Sequence, residues 1–313
     1  MIFKKIRRGH VDWRNFLCST PARDYVIQKE EYVSQLDRAV EYITKADSII
    51  VGAGAGASTA AGIQYGGKRF TDNFGEFIEK YGVHYMTDMY AAGFYPYPSE
   101  EAKWGYWSKH ALMNRFDPPA LPLYTKLYDI VKSKEYFVLT TNVDHQFYKA
   151  GFDEKRIFAT QGDYGKIQCQ KACHSKTYDA KELFRKMDEA RKDCLIPSEL
   201  VPKCPVCGGN MAMNLRCDNY FVEDEAWHEA ADRYACFLEQ NKDKKVVLLE
   251  LGVGFNTPII IRFPFEKMVR ENPSYSLIRL NMDEAVVPES FGERAIGIGG
   301  DMAKAIADIR GLV

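Results

Sequence analysis

The chain has 313 residues, 46% of them hydrophobic and 27% charged, with a formal net charge of −1 at pH 7. This length and composition are typical of an ordinary globular protein and allow one large α/β domain plus a smaller insertion. The near-neutral balance gives no electrostatic case for nucleic acid or a membrane surface as the main partner.

The start of the chain is basic, with Lys4, Lys5, Arg7 and Arg8, and we expect it to form a solvated tail. No apolar signal region follows it, and the sequence contains no apolar run of 18 residues. These patterns predict neither secretion nor a membrane span, and a cytoplasmic location is the default expectation.

An amphipathic stretch comes next, over Gln28–Lys45, where apolar side chains recur at helical spacing. It predicts a helix that covers a sheet. This helix would be the last part of an N-terminal extension over residues 1–45.

A glycine-rich turn follows a predicted buried strand. Ser48–Val51 is short, apolar and β-branched, which indicates the strand. Gly52, Gly54 and Gly56 then allow a tight turn that admits a pyrophosphate. The small residues over Ala57–Ala61 predict a helix whose first amide groups would favour the phosphate charge. Because glycine also serves tight packing, a turn that binds no nucleotide remains an alternative.

The next segment, Gly66–Phe116, is rich in aromatic residues and broken by glycine and proline. Aromatic packing in a small helical module is the expectation for most of them, although such a segment could also wall a pocket. Further buried strands are predicted at Val138–Thr141, Val246–Leu251 and Ser276–Leu280. Strands that alternate with helical stretches predict a doubly wound, Rossmann-like parallel sheet.

The cysteines give the strongest structural signal. Cys169 and Cys173 are separated by three residues, Cys204 and Cys207 by two, and about thirty residues lie between the pairs. Two close pairs in a long chain predict one zinc ion held by four sulfurs. With all four positions filled, the site would be closed and structural, with unpaired thiols as the alternative. Three other residues could compete for a ligand position: His174, Cys194 and Cys217.

Several ordered motifs together resemble the sirtuin family. The chain reads GAGAST at Gly54–Thr59 followed by Gly62–Ile63, similar to the family's GAGxSxxSGI, and TTNVD at Thr140–Asp144, similar to TQNID. Gln161–Gly162 stands where the family has His-Gly, and the paired cysteines follow in the same order. The resemblance covers roughly residues 45–310 and implies an NAD-binding domain with a structural zinc module.

With these motifs placed, we expect three parts after the N-terminal extension. The Rossmann-like NAD-binding domain comprises residues 46–65, 117–163 and 218–313. A helical and cosubstrate-loop module comprises residues 66–116, and a zinc-binding module comprises residues 164–217.

The resemblance also implies which residues contact NAD. Asn142 would bind ribose hydroxyls, Asp144 would hold the nicotinamide carboxamide, and the glycine-rich turn would lie against the diphosphate. The expected contacts are Gly54, Ala55, Gly56, Ser58, Gly62, Tyr65, Thr141, Asn142, Asp144, His145, Gly252, Gly254, Asn256, Asn281 and Asp301. The alternative for Asn142 and Asp144 is a plain turn after a strand, where both residue types are common.

The chain departs from the family pattern in two cosubstrate segments. After Ile63 the family reads Pro-Asp-Phe-Arg, whereas this chain reads Gln-Tyr-Gly-Gly over Gln64–Gly67. Gly-Val-Gly at Gly252–Gly254 replaces the family's Gly-Thr-Ser, and Asn256 or Thr257 would supply the missing polar group. These departures resemble the branch of microbial sirtuins found beside macrodomain proteins.

Gln161 decides between two chemistries. In the sirtuin scheme a histidine at this position helps to deprotonate a ribose hydroxyl during deacylation, and a glutamine amide cannot act as a general base. Cleavage of the nicotinamide–ribose bond needs only orientation, exclusion of water and stabilisation of the leaving group. We therefore predict an NAD-dependent protein ADP-ribosyltransferase with Asn142, Asp144 and Gln161 as its catalytic residues.

Two other functions stay open for the same fold. One is a lysine deacylase rescued by His145 or by substrate assistance, although a residue after a nucleotide-binding turn often points elsewhere. The other is a silent sensor of NAD or ADP-ribose. A dehydrogenase would explain neither the cysteine pairs nor TTNVD. The branch resemblance implies a lipoyl-carrier protein of the glycine-cleavage H type as acceptor and a macrodomain hydrolase as reversing partner.

Overall fold

The computed structural model describes residues 20–313, so the basic start of the chain lies outside the described residues. Within that range the strands are β1 (Tyr25–Val26), β2 (Ser48–Ala53), β3 (Glu135–Thr140), β4 (Ile157–Ala159), β5 (Gly162–Cys169), β6 (Thr177–Asp179), β7 (Met211–Leu215), β8 (Val246–Leu251), β9 (Tyr275–Asn281), β10 (Val287–Pro288) and β11 (Ala295–Gly299). The helices are α1 (Tyr32–Lys45), α2 (Ala55–Ala60), α3 (Gly67–Tyr81), α4 (Met89–Gly93), α5 (Glu100–Ala111), α6 (Pro122–Val131), α7 (Gln146–Lys149), α8 (Lys181–Ala190), α9 (Glu225–Asn241), α10 (Arg262–Glu271) and α11 (Met302–Leu312). None of these helices combines the length and the apolarity that crossing a membrane requires.

Six parallel strands of the described chain form the central sheet, in the order β11-β9-β8-β2-β3-β4. Side chains along β2 alternate between two hydrophobic cores. Ile49 and Val51 pack on one face with α1, α6 and α11, and Ile50 packs on the other face with α9 and α10. Helices thus cover both faces, which is why these strands are nearly continuous apolar runs. The predicted doubly wound α/β fold is confirmed.

The helix predicted over Gln28–Lys45 begins only at Tyr32. The Gln28 side chain explains the difference. Its amide nitrogen donates to the Ala295 carbonyl at 2.8 Å, and its oxygen accepts from the Gly297 amide at 3.0 Å. These bonds hold the residues before α1 against β11 and leave the helix to start one turn later.

A second, antiparallel sheet has the order β6-β5-β7. It shares one hydrophobic core with helices α3, α5 and α8. The core is rich in aromatic rings, among them Phe74, whose ring centroid lies 5.4 Å from that of Phe70 and 5.3 Å from that of Tyr106. The helical segment and the second sheet thus share one core. The division into a helical module over residues 66–116 and a zinc-binding module over residues 164–217 stays a proposal.

Four charged side chains inside the central domain have no solvent exposure: Glu250, Arg262, Glu266 and Arg279. Arg279 on β9 donates to both carboxylate oxygens of Glu250 at 2.6 and 2.8 Å. It also donates to Glu266 on α10 at 2.9 Å. Two positive and two negative groups therefore compensate each other in a region that water does not reach.

Replacing Arg279 with methionine is expected to lower the free energy of unfolding by about 3–5 kcal/mol, because Glu250 and Glu266 would remain buried without their partner. Urea denaturation of the purified protein measures this change. Adding Glu250→Gln to the same variant should recover part of the loss, since one unpaired charge is removed. An unchanged urea midpoint in Arg279→Met would contradict the expectation.

Candidate active site

The predicted motifs meet at the carboxyl edge of the central sheet. In the register of the sheet, Ala53 at the end of β2 pairs with Thr140 of β3 on one side and with Leu251 of β8 on the other. The glycine-rich turn, the TTNVD segment and the Gly252–Gly254 segment therefore leave neighbouring strands at the same edge. Open α/β sheets bind ligands at this edge.

The glycines of the turn are required by close packing between two backbone segments. A Cβ atom on Gly56 would lie 2.7 Å from the Gly252 Cα atom, and one on Gly54 would lie 2.8 Å from the Gly252 oxygen. The Gly56 amide donates to that oxygen at 3.0 Å, and the Ala57 amide donates to the Gly54 oxygen at 3.0 Å. Two of the first amides of α2 are thus engaged within the protein, and the predicted contact of this turn with a diphosphate stays a prediction.

A buried hydrogen-bond network joins the glycine-rich turn to the TTNVD segment. The Ser58 hydroxyl donates to the Asp144 carboxylate, and Ser58 Oγ lies 3.0 Å from the Tyr124 hydroxyl oxygen. The Asn142 amide nitrogen donates to the Gly54 carbonyl at 3.0 Å and to the Tyr124 hydroxyl at 3.4 Å. The predicted residues Ser58, Asn142 and Asp144 therefore belong to one network that includes Tyr124 on α6, a residue for which the sequence contains no motif.

Burial governs the ionisation of this network. It raises the pKa of the Asp144 carboxyl, although the hydrogen bonds from Ser58 and from the Gln146 amide act in the opposite direction. It also raises the pKa of the Tyr124 hydroxyl well above its usual value. Tyr124 is therefore a neutral hydrogen-bonding group at physiological pH.

Gln161 lies in the connection between β4 and β5 and is partly buried. Its side-chain nitrogen donates to the Thr160 hydroxyl at 3.3 Å, and its backbone oxygen accepts from the Arg216 amide at 3.0 Å. The next residue, Gly162, has a φ of 98°, and a Cβ atom there would lie 1.9 Å from the Asn214 carbonyl oxygen. Glycine is the residue that this sharp turn accepts.

His145 is held by an aspartate that the sequence analysis did not single out. The backbone of His145 is left-handed, with a φ of 65°, and its ring stacks on Tyr148 at a centroid distance of 4.0 Å. Its Nδ1 atom lies 2.9 Å from the carboxylate of Asp163, which also accepts from Arg115 at 2.9 Å. Burial raises the pKa of Asp163, but the His145 bond and the Arg115 charge outweigh it and lower that pKa. His145 and Asp163 line one small pocket together with Asn142 and Asp144.

Tyr65, in the segment that departs from the family pattern, faces the second sheet. Its hydroxyl donates to the Tyr164 hydroxyl at 3.0 Å, and its carbonyl accepts from the Met89 amide at 2.8 Å. Arg69 supports the same loop by donating to the Gln64 carbonyl at 2.9 Å. The altered loop is therefore fixed against the helical segment.

The remaining predicted cosubstrate residues lie further along the same edge. Asn281 at the end of β9 donates to the Val253 carbonyl at 3.2 Å. The Asp301 side chain accepts from the Lys304 amide at 3.1 Å and caps α11, while Asn256 is exposed. The contacts of Asn281 and Asp301 are made within the protein, and the NAD contacts expected of Asn281, Asp301 and Asn256 stay predictions.

The four predicted metal ligands form one cluster. The Cys169 and Cys207 sulfurs are 3.7 Å apart, the Cys173 and Cys204 sulfurs are 3.6 Å apart, and all four lie within 4.8 Å of one another. A tetrahedral zinc ion with Zn–S bonds of about 2.3 Å requires sulfur separations of about 3.8 Å, so the set fits zinc. A hydrogen bond from the Cys173 amide is the main cause that lowers the pKa of the Cys169 thiol, which favours its thiolate form.

Of the three competing residues, His174 lies beside the cluster, and Cys194 and Cys217 lie outside it. His174 Nδ1 lies 3.1 Å from the Cys173 sulfur, while its Nε2 atom lies 2.8 Å from the Tyr178 hydroxyl. Cys194 is buried in the aromatic core, and Cys217 is exposed. The cysteines of the two close pairs are therefore positioned to hold a structural metal ion without these residues.

Two curated proteins resemble the chain over most of its length. A protein ADP-ribosyltransferase from Staphylococcus aureus (strain Mu50) is 38% identical over 278 residues, covering 88% of this chain and 87% of that protein. A probable bifunctional ADP-ribose hydrolase/ADP-ribosyltransferase from Fusarium oxysporum f. sp. cubense is 31% identical over 286 residues. That match covers 87% of this chain and 47% of the fungal protein, so the chain spans about half its length.

Solved structures of Sir2 proteins share the fold. A Sir2 homologue in complex with NAD superposes with a TM-score of 0.56 at 16% identity, covering 93% of this chain and 99% of that one. Sir2Tm bound to a propionylated peptide gives a TM-score of 0.52 at 16% identity, covering 88% of this chain and 96% of the other. No protein-family model matches the chain.

Proposed function

The chain belongs to the protein ADP-ribosyltransferases and has the sirtuin fold, and from this we infer that it is an NAD-dependent enzyme that transfers ADP-ribose to a protein acceptor. Nicotinamide is the product that leaves. The 38% identical relative and the site at the sheet edge support this function together.

The residue at position 161 carries the proposal. It is a glutamine, whose amide can donate and accept hydrogen bonds but does not ionise in the useful range. A histidine base is needed for the deacylase route and not for cleavage of nicotinamide from ribose. Asn142 and Asp144 line one pocket with Gly162, the residue that follows Gln161. In our proposal these two side chains orient NAD, while a glutamine stands at the position of the usual histidine base.

We assign the roles of the side chains as follows. Asn142 holds ribose hydroxyls, and Asp144, fixed by Ser58, holds the nicotinamide carboxamide. Gln161 positions the acceptor. Bound NAD supplies an anomeric carbon that develops oxocarbenium character as nicotinamide leaves, and fixed polar groups around such a centre need no reorganisation.

The acceptor we propose is a lipoyl-carrier protein of the glycine-cleavage H type. The proposal follows from the likeness to the macrodomain-linked branch. The segments after Ile63 and Leu251 depart from the general family pattern in the way that resembles this branch. The same likeness, and the fungal relative that is named for both hydrolase and transferase activities, support a functional link to a macrodomain ADP-ribosyl hydrolase. Purified H-type protein with and without its lipoyl group is the acceptor to test first.

Lysine deacylation is the second candidate, and one observation favours it. His145 presents an imidazole that is oriented by Asp163 in the pocket that Asn142 lines. A deacylase would convert NAD and an acylated peptide to nicotinamide, acyl-ADP-ribose and the deacylated peptide, and it would label no protein.

Replacing Gln161 with alanine is expected to lower ADP-ribose transfer about five- to tenfold, because one neutral hydrogen bond is lost from the acceptor side. In the assay, the purified protein is incubated with labelled NAD and cell extract. The nicotinamide that is released and the label on a protein band are measured. Gln240→Ala, at an exposed glutamine on α9, is the matched control and should transfer at the wild-type rate. Acyl-ADP-ribose without any labelled protein would overturn the transferase in favour of the deacylase.

A further inference from the structure

One buried arginine joins two loops at the carboxyl edge of the central sheet. The β8 loop comprises residues 252–257 and the β9 loop comprises residues 282–286. Arg262 on α10 donates from Nη1 to the Val253 carbonyl at 2.9 Å and from Nη2 to the Glu284 carbonyl at 3.0 Å. It also lies 3.4 Å from the Val286 carbonyl. A side chain with no solvent exposure thus bonds to the backbone of both loops.

Further contacts fix the β8 loop in the same position. The Glu284 carboxylate accepts from the Phe255 amide at 2.8 Å, and the Arg262 guanidinium lies 3.9 Å from the centroid of the Phe255 ring. The Asn281 amide donates to the Val253 carbonyl at 3.2 Å, so two donors meet at one oxygen. The conformation of the β8 loop therefore depends on α10 and on the β9 loop.

Lysine could not replace Arg262 in this arrangement. A guanidinium presents several donors in one rigid plane, whereas an ammonium is a compact point charge on a flexible stem. Burying the charge lowers the pKa of Arg262, an effect that the neighbouring carboxylates of Glu250 and Glu266 partly offset. Arg262 also lies 3.9 Å from Glu266 in the buried charge cluster, so part of its role is to stabilise the fold. Its hydrogen bonds to the carbonyl oxygens of two loops go beyond that role.

We propose that Arg262 is a positioning residue for the cosubstrate, holding the β8 loop in the shape that receives NAD. The inference rests on the proposed function, in which Gly252 and Gly254 of this loop and Asn281 beside it contact NAD. A loop that is ordered before binding loses little conformational freedom when the ligand arrives. Arg262 bonds to the loops that follow β8 and β9, and in the sheet β2 and β3 lie between these strands and β4, the strand before Gln161. Its loss therefore affects the affinity for NAD and leaves the chemical step unchanged.

Arg262→Lys is expected to raise the KM and the Kd for NAD about tenfold to a hundredfold with kcat unchanged, because hydrogen bonds from a charged donor are lost. In the NAD-free protein, hydrogen exchange at the Phe255 amide should accelerate. Glu284→Gln, at a partly exposed side chain, should move both quantities in the same direction by a smaller factor. Arg270→Lys is the matched control, since this arginine lies exposed on the same helix and bonds to the Thr20 hydroxyl.

The KM for NAD of Arg262→Lys decides whether Arg262 is a positioning residue. An unchanged KM for NAD in Arg262→Lys, with or without faster exchange at Phe255, overturns the inference, and so does a fall in kcat at unchanged KM. If Arg262→Lys does not fold, Glu284→Gln gives the same test. A wild-type protein that binds NAD and labels no acceptor would contradict the proposed function instead, and NAD titration of the variants would still test Arg262.

Discussion

Replacing Asn142 with alanine is expected to reduce ADP-ribose transfer by about 10²–10³-fold, the usual cost of removing one donor from a preorganised site. The Asn142 amide bonds to the Gly54 carbonyl and to the Tyr124 hydroxyl, so it also links the glycine-rich turn to α6. The variant loses both the proposed ribose contact and this link. Steady-state kcat/KM with labelled NAD and a purified acceptor measures the effect.

A second buried asparagine gives the control for this experiment. Asn241 on α9 donates to the Phe237 carbonyl at 2.8 Å and takes no part in the network of Asn142. Asn241→Ala should cost stability through a similar lost bond and should keep its kcat/KM. Equal rates in Asn142→Ala and the wild type would remove Asn142 from the proposed site, whereas equal losses in both variants would indicate a general effect of destabilisation.

The sequence was most informative where residues specify their own local structure. The apolar run at Val246–Leu251 predicts a buried strand because few other structures satisfy such a run, and the structure has β8 there. The start of α1 was predicted too early because Gln28 bonds to β11, a strand more than 260 residues away in the chain. Local propensity carries no information about such a partner.

The candidate site was predictable in part for the same reason. Asn142 and Asp144 follow a predicted strand within a recognisable motif, so the sequence itself predicts that they lie at the edge of the sheet. Tyr124 and Asp163 have no such motif, and they reach the site through the packing of α6 and the course of β5. Arg262 would be expected at the surface from its residue type, and only the folded structure shows it buried against two loops.

Replacing Cys204 with serine is expected to abolish metal binding and to unfold the second sheet. Cys169 and Cys204 are buried in the core that this sheet shares with α3 and α5, so their loss as ligands also disturbs packing. A structural zinc ion contributes about 10–16 kcal/mol of binding free energy in small zinc domains, which is more than a module of this size can lose. Metal content per chain and thermal unfolding measure the two effects.

Cys217→Ser is the matched control, because this thiol lies in the same part of the chain but outside the cluster. It should keep the metal and the melting temperature of the wild type. A Cys204→Ser variant that still holds one zinc ion and melts normally would contradict the four-cysteine site and direct attention to His174.

Loss of the metal should also reduce ADP-ribose transfer, although the four sulfurs leave no coordination position for a substrate. Strand β5 connects the candidate active site to the cysteine cluster, since it carries Asp163 and Tyr164 at its start and the proposed metal ligand Cys169 at its end. Asp163 bonds to His145, and Tyr164 bonds to Tyr65 of the altered loop after Ile63. Cobalt or cadmium, which thiolate ligands also bind, should restore transfer to the chelated protein as well as zinc does. A rate that depends strongly on which metal is added would contradict a structural role.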